Sequence, residues 1–268
     1  MPSFRLTVAY DGTGLVGWQR QANGLSVQGL LESAATALDG RAVAVAGAGR
    51  TDAGVHALGQ VASLSLVREM DAPALVRALN AHLPPAVRVI DAEAVAASFH
   101  ARFDATSKTY RYHLWTGVVL PPLLRHVAWH VPAPDLRIAD MDGAARLLEG
   151  RHDFAAFQST GSEVTSTTRT LYSSRVRPVA IREADGLMAG LCAGALIAYE
   201  VCGDGFLRHM VRSVVGTLVD VGRGREEPAW VLRLLAACNR SQAGPAAPAG
   251  GLCLVRVSYE ANDRGTNG

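Results

Sequence analysis

Apolar and polar residues alternate over several short stretches of the chain, which is the pattern that predicts β-strands with one buried face. Phe4–Tyr10 shows this pattern, and a cluster of turn-forming residues from Asp11 to Gly14 ends it. Comparable patterns predict further strands at Val43–Ala46, Gln60–Val67, Val87–Val95, Lys108–Trp115, Thr170–Ile181, Leu187–Gly203 and Leu252–Tyr259. Strands are therefore expected along the whole chain.

Apolar residues spaced three or four apart predict helices between these strands. Ser26 is a suitable N-cap for a helix that runs through Leu38, and Gly40 follows the end of that helix. Asp71 can cap a second helix, which must end before Pro84. Further helices are predicted at Ala139–Leu148, Gly205–Val221 and Pro228–Cys238. The order β-α-β occurs twice with antiparallel hairpins, which favours an α+β fold.

The composition is that of an ordinary globular protein, with 49% hydrophobic and 19% charged residues among 268. No apolar run reaches the ~18 residues of a membrane span, and the N-terminus lacks a signal-peptide pattern, so we expect a cytoplasmic protein. The net charge of +2 does not indicate nucleic-acid binding unless basic residues form a local stripe. The four cysteines have no C-x-x-C spacing, and His126 and His130 lack the glutamate of a zinc-protease motif, so no metal is expected.

The segment Ala46–Gln60, AGAGRTDAGVHALGQ, contains the strongest candidate for chemistry. Asp52 lies among glycines, which allow a backbone to approach a ligand closely, and Arg50 precedes it by two positions. His56 and Gln60 follow. An aspartate in such a loop is often only a turn-capping residue, and the loop alone leaves both interpretations open.

Two further segments place aromatic and basic residues together. Tyr110 and Tyr112 alternate on a predicted strand and share one face with Lys108, the only lysine of the chain. This arrangement suits either cross-strand packing or a platform for a nucleobase, with nearby basic residues suited to phosphates. In the second segment, Arg208 and Arg212 are one helical turn apart and share a face of the predicted helix. Both side chains could be solvated, or Arg212 could bind a carboxylate.

Taken together these segments resemble the tRNA pseudouridine synthase A family. The resemblance covers nearly the whole chain in order, and the segment GRTDAGVHA is its most specific part. The matching segments are YDGTGLVGWQRQ from Tyr10, GAGRTDAGVHALGQVA from Gly47, ALNAHLP from Ala78, FHARFDATSKTYRY from Phe99, GRHDFAAF from Gly150, GDGFLRHMVRSVVGTLVDVG from Gly203 and GLCLVRVSY from Gly251.

The resemblance implies an enzyme that isomerises uridine to pseudouridine at positions 38, 39 and 40 of the tRNA anticodon stem-loop. Asp52 matches the catalytic aspartate of the family, Tyr110 its active-site tyrosine and Arg212 the arginine that pairs with the aspartate. Arg50 matches an arginine that assists base flipping. The residues expected to contact the substrate are Tyr110, Arg208, Leu252, Lys108 and Gln60.

The resemblance also implies a fold and an assembly. The expected fold has two similar βαβ-type halves, like ferredoxin or RNA-recognition domains, at residues 1–105 and 106–268. These halves would form one continuous antiparallel sheet with helices on one side and a central basic cleft. The family acts as a homodimer without metal or organic cofactor. The chain departs from the family at Ala246 and Cys253, which leaves local packing and RNA contacts near Leu252 open.

Two other classes of protein remain possible on the residues alone. A non-catalytic RNA-binding module would account for the aromatic and basic residues without any use of Asp52. A hydrolase of glycosidic bonds would use Asp52, but it needs a second carboxylate, and the loop contains none.

Overall fold

The computed structural model of the protein describes residues 1–159, 164–179 and 194–259. The chain forms two compact units, which among these residues comprise 1–108 with 253–259, and 109–252. The described part contains ten strands and five α-helices, which confirms the α+β class. The predicted division at residue 105 places 253–259 in the second half, whereas these residues belong to the first unit.

The first unit contains a mixed sheet in the order β4-β1-β3-β10. Its strands are β1 (Ser3–Tyr10), β2 (Ala46–Gly47), β3 (His56–Ser65), β4 (Val87–Val95) and β10 (Leu252–Ser258). β1 pairs antiparallel with both β3 and β4, and β2 pairs antiparallel with β3. β10 pairs with β3 in parallel, so the prediction of a wholly antiparallel sheet is wrong. This pairing keeps the C-terminal strand with the first unit.

Two helices of the first unit begin and end where local side chains satisfy the backbone. α1 (Val27–Asp39) is capped by the Ser26 side chain, which accepts from the amide of Gly29, and it ends at Gly40 with a φ of 73°. α2 (Ala72–His82) is capped by Asp71, whose carboxylate accepts from the amide of Ala74 at 2.6 Å. Both N-caps and the glycine stop are as predicted, because capping depends on residues adjacent in sequence.

The strands of the second unit follow the order β5-β9-β8-β7, with β6 paired in parallel to β5. They are β5 (Ser107–Trp115, whose first two residues belong to the first unit), β6 (Trp129–His130), β7 (Gly150–Asp153), β8 (Thr168–Pro178) and β9 (Leu196–Gly203). The predicted strand Leu187–Gly203 lies outside the described residues before residue 194. β8 pairs antiparallel with β7 and β9.

The helices of the second unit are α3 (Ile138–Arg146), α4 (Met210–Gly222) and α5 (Trp230–Ala237). α4 begins five residues later than its predicted start, because His209 adopts a left-handed conformation with a φ of 61°. Nearly all of α4 is buried. Gly216 allows close packing there, since a Cβ at this position would lie 1.7 Å from the Pro245 carbonyl oxygen.

Candidate active site

Asp52 occupies the first position of a tight turn in the first unit. Its carbonyl oxygen accepts from the amide of Val55 at 3.1 Å, and Gly54, the third residue of the turn, has a φ of +78°. A type II turn requires this positive φ, which glycine adopts without steric cost. The Asp52 side chain is half-buried. The turn therefore fixes the backbone of Asp52 and leaves the residue partly accessible.

A second glycine-rich segment packs directly against this turn. The Trp18 amide donates to the carbonyl oxygen of Thr51 at 3.1 Å. A Cβ at Gly17 would lie 2.5 Å from that same oxygen, and a Cβ at Gly12 would lie 2.2 Å from the carbonyl oxygen of Val55. These distances are too short for any side chain. The glycines of the first segment are thus required because two stretches of backbone touch on either side of Asp52.

A buried set of polar side chains ties the Asp52 loop to the sheet. The Tyr10 hydroxyl and the Thr51 Oγ1 are hydrogen-bonded at 2.8 Å, and the Gln60 amide donates to the Tyr10 hydroxyl at 3.4 Å. Burial raises the pKa of Tyr10 to about 12, although its bonds to Thr51 and Gln60 act to lower it. The hydroxyl therefore stays protonated at neutral pH and can remain a donor in this set.

Gln60, for which contact with the substrate stays a prediction, is hydrogen-bonded to the loop. Its side chain is completely buried, and its amide donates to the carbonyl oxygen of Gly49 at 2.9 Å. Lys108, on β5, packs against Gly49 of the same loop, since a Cβ on Gly49 would lie 3.2 Å from the Lys108 Cε. Arg50 is exposed. The contacts of Gln60 thus support a positioning role, while Arg50 remains accessible to a ligand.

A second carboxylate lies near this loop. The Asp11 Oδ1 is 3.2 Å from the Nδ1 of His56. The same Nδ1 accepts a hydrogen bond from the amide of Gly12 at 3.0 Å. An Nδ1 that accepts carries no proton, so in that state the approach of Asp11 is not an ion pair. The sequence did not indicate that Tyr10 and Asp11 contact the Asp52 loop, because both lie about forty residues before Asp52.

Tyr110 lies on β5 in the second unit and is 6% exposed. Its ring packs edge-on against Phe206, with centroids 5.1 Å apart and an interplanar angle of 80°. Tyr112, which shares its strand, is fully buried and donates its hydroxyl to the carbonyl oxygen of Pro248 at 2.8 Å. Burial raises the pKa of the Tyr112 hydroxyl above its usual value. Tyr112 is therefore a core residue and not part of a stacking platform.

Arg212 lies in the first turn of α4 and is half-buried. Its Nε donates to the Ala247 carbonyl oxygen at 2.7 Å, and the Ala247 amide donates back to the Arg212 carbonyl oxygen at 3.0 Å. The first bond fixes the Nε side of the guanidinium group, and the second joins the two backbones. Arg208 is exposed, and Leu252 is buried at the start of β10.

Arg50, Asp52, Gln60 and Lys108 belong to the first unit, where Gln60 and Lys108 contact Gly49, three residues before Asp52. The structure places Tyr110, Arg208, Arg212 and Leu252 in the second unit. The pairing of Asp52 with Arg212 stays a prediction. Among residues 1–159, 164–179 and 194–259, no three His, Cys, Asp or Glu side chains gather in a way that could hold a metal ion.

None of the helices in the described part of the chain is long and apolar enough to cross a membrane. Cys202 on β9, Cys253 on β10 and Cys238 after α5 are not in disulfide bonds.

The chain is similar to proteins of one family over nearly its entire length. Residues 6–104 and 144–260 match a family model described as tRNA pseudouridine synthase. A protein named tRNA pseudouridine synthase A from Rhodospirillum rubrum is 45% identical over 260 residues, covering 97% of this chain and 88% of the relative. Relatives of the same name from Syntrophotalea carbinolica and Pelobacter propionicus are 43% and 44% identical, covering 98% and 97% of this chain and 98% and 100% of the relatives.

Proposed function

This chain belongs to the tRNA pseudouridine synthase family, and from that premise we propose that it converts uridines 38, 39 and 40 of the tRNA anticodon stem-loop to pseudouridine. The protein is an isomerase that acts on tRNA. We further propose Asp52 as its nucleophile or base. The family assignment favours an enzyme over a non-catalytic RNA-binding module.

The observation that carries the role of Asp52 is the bracing of its turn. Two glycine-dependent backbone contacts and the buried Tyr10–Thr51–Gln60 set hold the turn, while Asp52 itself stays half-buried. A carboxylate needed only to cap a turn does not require such support. Catalytic groups do require it, because a fixed orientation removes the entropy of aligning the reacting atoms.

The reaction breaks the C1′–N1 bond of uridine and forms a C1′–C5 bond, and the proton on C5 leaves as N1 gains one. No atom is added and nothing is oxidised or reduced, so side chains alone can serve as the acid, base and nucleophile. Asp52 acts at the sugar or the uracil ring, and Arg212 is the proposed cation that pairs with its carboxylate. Tyr110 is proposed to contact the target base and to assist removal of the C5 proton.

The target base must leave the stack of the anticodon arm to reach these groups, at a cost of about a few kcal/mol. We propose that Arg50 assists this step, because its exposed side chain lies two residues before Asp52. Lys108 and Arg208 are proposed to bind phosphates, and Leu252 to pack near the bound RNA. The protein is further proposed to act in the cytoplasm as a homodimer, without a cofactor.

Nucleotide-resolution mapping tests the proposed positions. Unmodified tRNA is incubated with the protein, treated with a carbodiimide that labels pseudouridine, and read by primer extension. We expect stops at positions 38, 39 and 40 where the tRNA carries uridine there, and none after incubation with Asp52→Asn. Stops confined to another arm would contradict the proposed specificity.

The same reaction mixture distinguishes the hydrolase. Asp11 supplies a carboxylate near the Asp52 loop, as a two-carboxylate hydrolase would require. Only hydrolysis releases free uracil, which mass spectrometry detects in the supernatant. Release of uracil in proportion to the enzyme, without labelled pseudouridine, would replace isomerisation by hydrolysis.

The replacement Tyr110→Phe is expected to slow turnover about a hundredfold while tRNA binding is retained, because only the hydroxyl is lost from a packed ring. Single-turnover kinetics and a filter-binding assay measure the two effects. The matched control is Tyr112→Phe, which loses a bond to Pro248 and should cost about 1 kcal/mol of stability without slowing turnover. If Tyr110→Phe loses stability but turns over normally, its role is packing alone.

A further inference from the structure

The turn formed by residues 100–104, here named the Phe103 turn, exposes an aromatic ring. Phe103 is 74% exposed. All Phe, Trp and Tyr residues lie within the described ranges, and Phe103 alone among them is exposed. An exposed ring leaves apolar surface in contact with water, and its burial against a ligand would be favourable. A single exposed apolar side chain is common on protein surfaces, so its role depends on the groups held beside it.

The Phe103 turn is held firmly although its tip is exposed. The His100 amide donates to the Asp104 carboxylate at 2.8 Å, and the Asp104 amide donates to the His100 carbonyl oxygen at 3.1 Å. Behind the tip, the Ala101 carbonyl oxygen accepts from the Tyr259 hydroxyl at 2.7 Å, and the Ala101 amide donates to the Ser63 hydroxyl at 3.2 Å. The ring is therefore presented on an ordered backbone, which lowers the entropy lost when a ligand binds.

The side chains of His100 and Arg102 lie beside the Phe103 ring. The His100 ring lies 4.3 Å from the Phe103 ring, with an interplanar angle of 35°. The Nδ1 of His100 accepts from the Arg102 amide at 3.1 Å, which leaves the ring proton on Nε2. The Arg102 guanidinium carbon lies 5.7 Å from the centroid of the Phe103 ring, and Arg102 is exposed. An apolar π-face thus lies beside an exposed cation.

The chain itself limits how far the Phe103 turn can lie from the Asp52 loop. Lys108 follows Phe103 by five residues, which span at most about 17 Å. The Lys108 side chain packs on Gly49, three residues before Asp52. A polynucleotide with one nucleotide at Asp52 can therefore extend to the Phe103 turn over a few nucleotides.

We propose that the Phe103 turn binds an unpaired base of the RNA substrate, with the base stacked on Phe103 and an adjacent phosphate held by Arg102. An RNA strand matches both features, because each of its nucleotides carries a flat π-surface and a negative charge. A purely apolar partner would leave the Arg102 charge without a counterpart. This inference rests on the proposed function, which makes RNA the substrate.

Binding is measured in an Asp52→Asn background, so that no result depends on turnover. The probe is an anticodon stem-loop hairpin with 2-aminopurine in its unpaired loop, compared with a fully paired duplex of the same stem sequence. Phe103→Ala should raise the Kd for the hairpin about 5- to 140-fold and abolish part of the 2-aminopurine quenching, while the duplex Kd stays unchanged. Phe103→Trp should retain tight binding, since an indole also stacks.

The matched control is Ile90→Ala, which removes another exposed apolar side chain of the first unit, 59% exposed, and should leave both Kd values unchanged. Arg102→Gln should lower the slope of log K against log salt for the hairpin by about 0.7, the loss of one phosphate contact. Equal weakening of hairpin and duplex by Phe103→Ala, or an unchanged hairpin Kd, would overturn the proposal.

Sedimentation of wild type and Phe103→Ala addresses the alternative occupant, a second copy of this chain. An unchanged mass supports the RNA site, whereas dissociation of an oligomer by Phe103→Ala would overturn it. The outcome is independent of the proposed function. Wild-type protein that makes pseudouridine while Phe103→Ala binds normally refutes only this inference, and binding that depends on Phe103 without any pseudouridine formed refutes only the function.

Discussion

Asp52→Asn is expected to abolish pseudouridine formation, with a rate at least about a thousandfold below wild type, because the amide can neither attack nor accept a proton. The amide has nearly the shape of the carboxylate, and the turn is held by backbone atoms, so the fold and tRNA affinity should be retained. Tritium released from tRNA carrying 5-³H-uridine measures turnover, because the C5 proton leaves when the new bond forms.

Asp11→Asn is the matched control, since it also replaces a carboxylate next to the Asp52 loop. Its Oδ1 accepts from the Thr13 amide, and asparagine keeps that acceptor, so turnover should remain near that of wild type. Tritium release by Asp52→Asn close to the wild-type rate would remove Asp52 from the mechanism. Equal losses in the two variants would indicate chemistry that uses two carboxylates.

Gly17→Ala is expected to destabilise the first unit by about 3 kcal/mol and to eliminate turnover of the folded protein. The φ of Gly17 is +101°, and its new Cβ would lie 2.5 Å from the Thr51 carbonyl oxygen, next to Asp52. The methyl group therefore has to displace the backbone that orients the carboxylate. Urea denaturation gives the change in the free energy of unfolding, and tritium release gives the activity.

Gly14→Ala separates backbone strain from the clash. Gly14 also has a positive φ, of +77°, but a Cβ there meets no atom within 4 Å. This variant should lose only about 1 kcal/mol of stability, the cost of a left-handed alanine, and should keep most of its activity. If the two variants lose stability and activity equally, the contact with Thr51 is not what orients the loop.

The sequence predicted the elements whose ends depend on neighbouring residues. Ser26, Gly40 and Asp71 specify the limits of α1 and α2, because caps bond to backbone groups three or four residues away. The start of α4 was predicted too early, since apolar periodicity continues through Leu207, which is buried outside the helix. The parallel pairing of β10 with β3 was not predictable, because it joins residues almost two hundred positions apart.

The Asp52 loop and its glycines were recognisable from the order of residues alone, because positive φ and close backbone approach both demand glycine. Which backbone those glycines meet depended on the tertiary structure. The same is true of Tyr10 and Thr51, 41 residues apart, and of Tyr112 and Pro248, 136 residues apart. Alternation along a strand tells which side chains share a face, but burial depends on what packs against that face. Only folding therefore distinguished Tyr112, enclosed in the core, from Phe103, exposed to solvent.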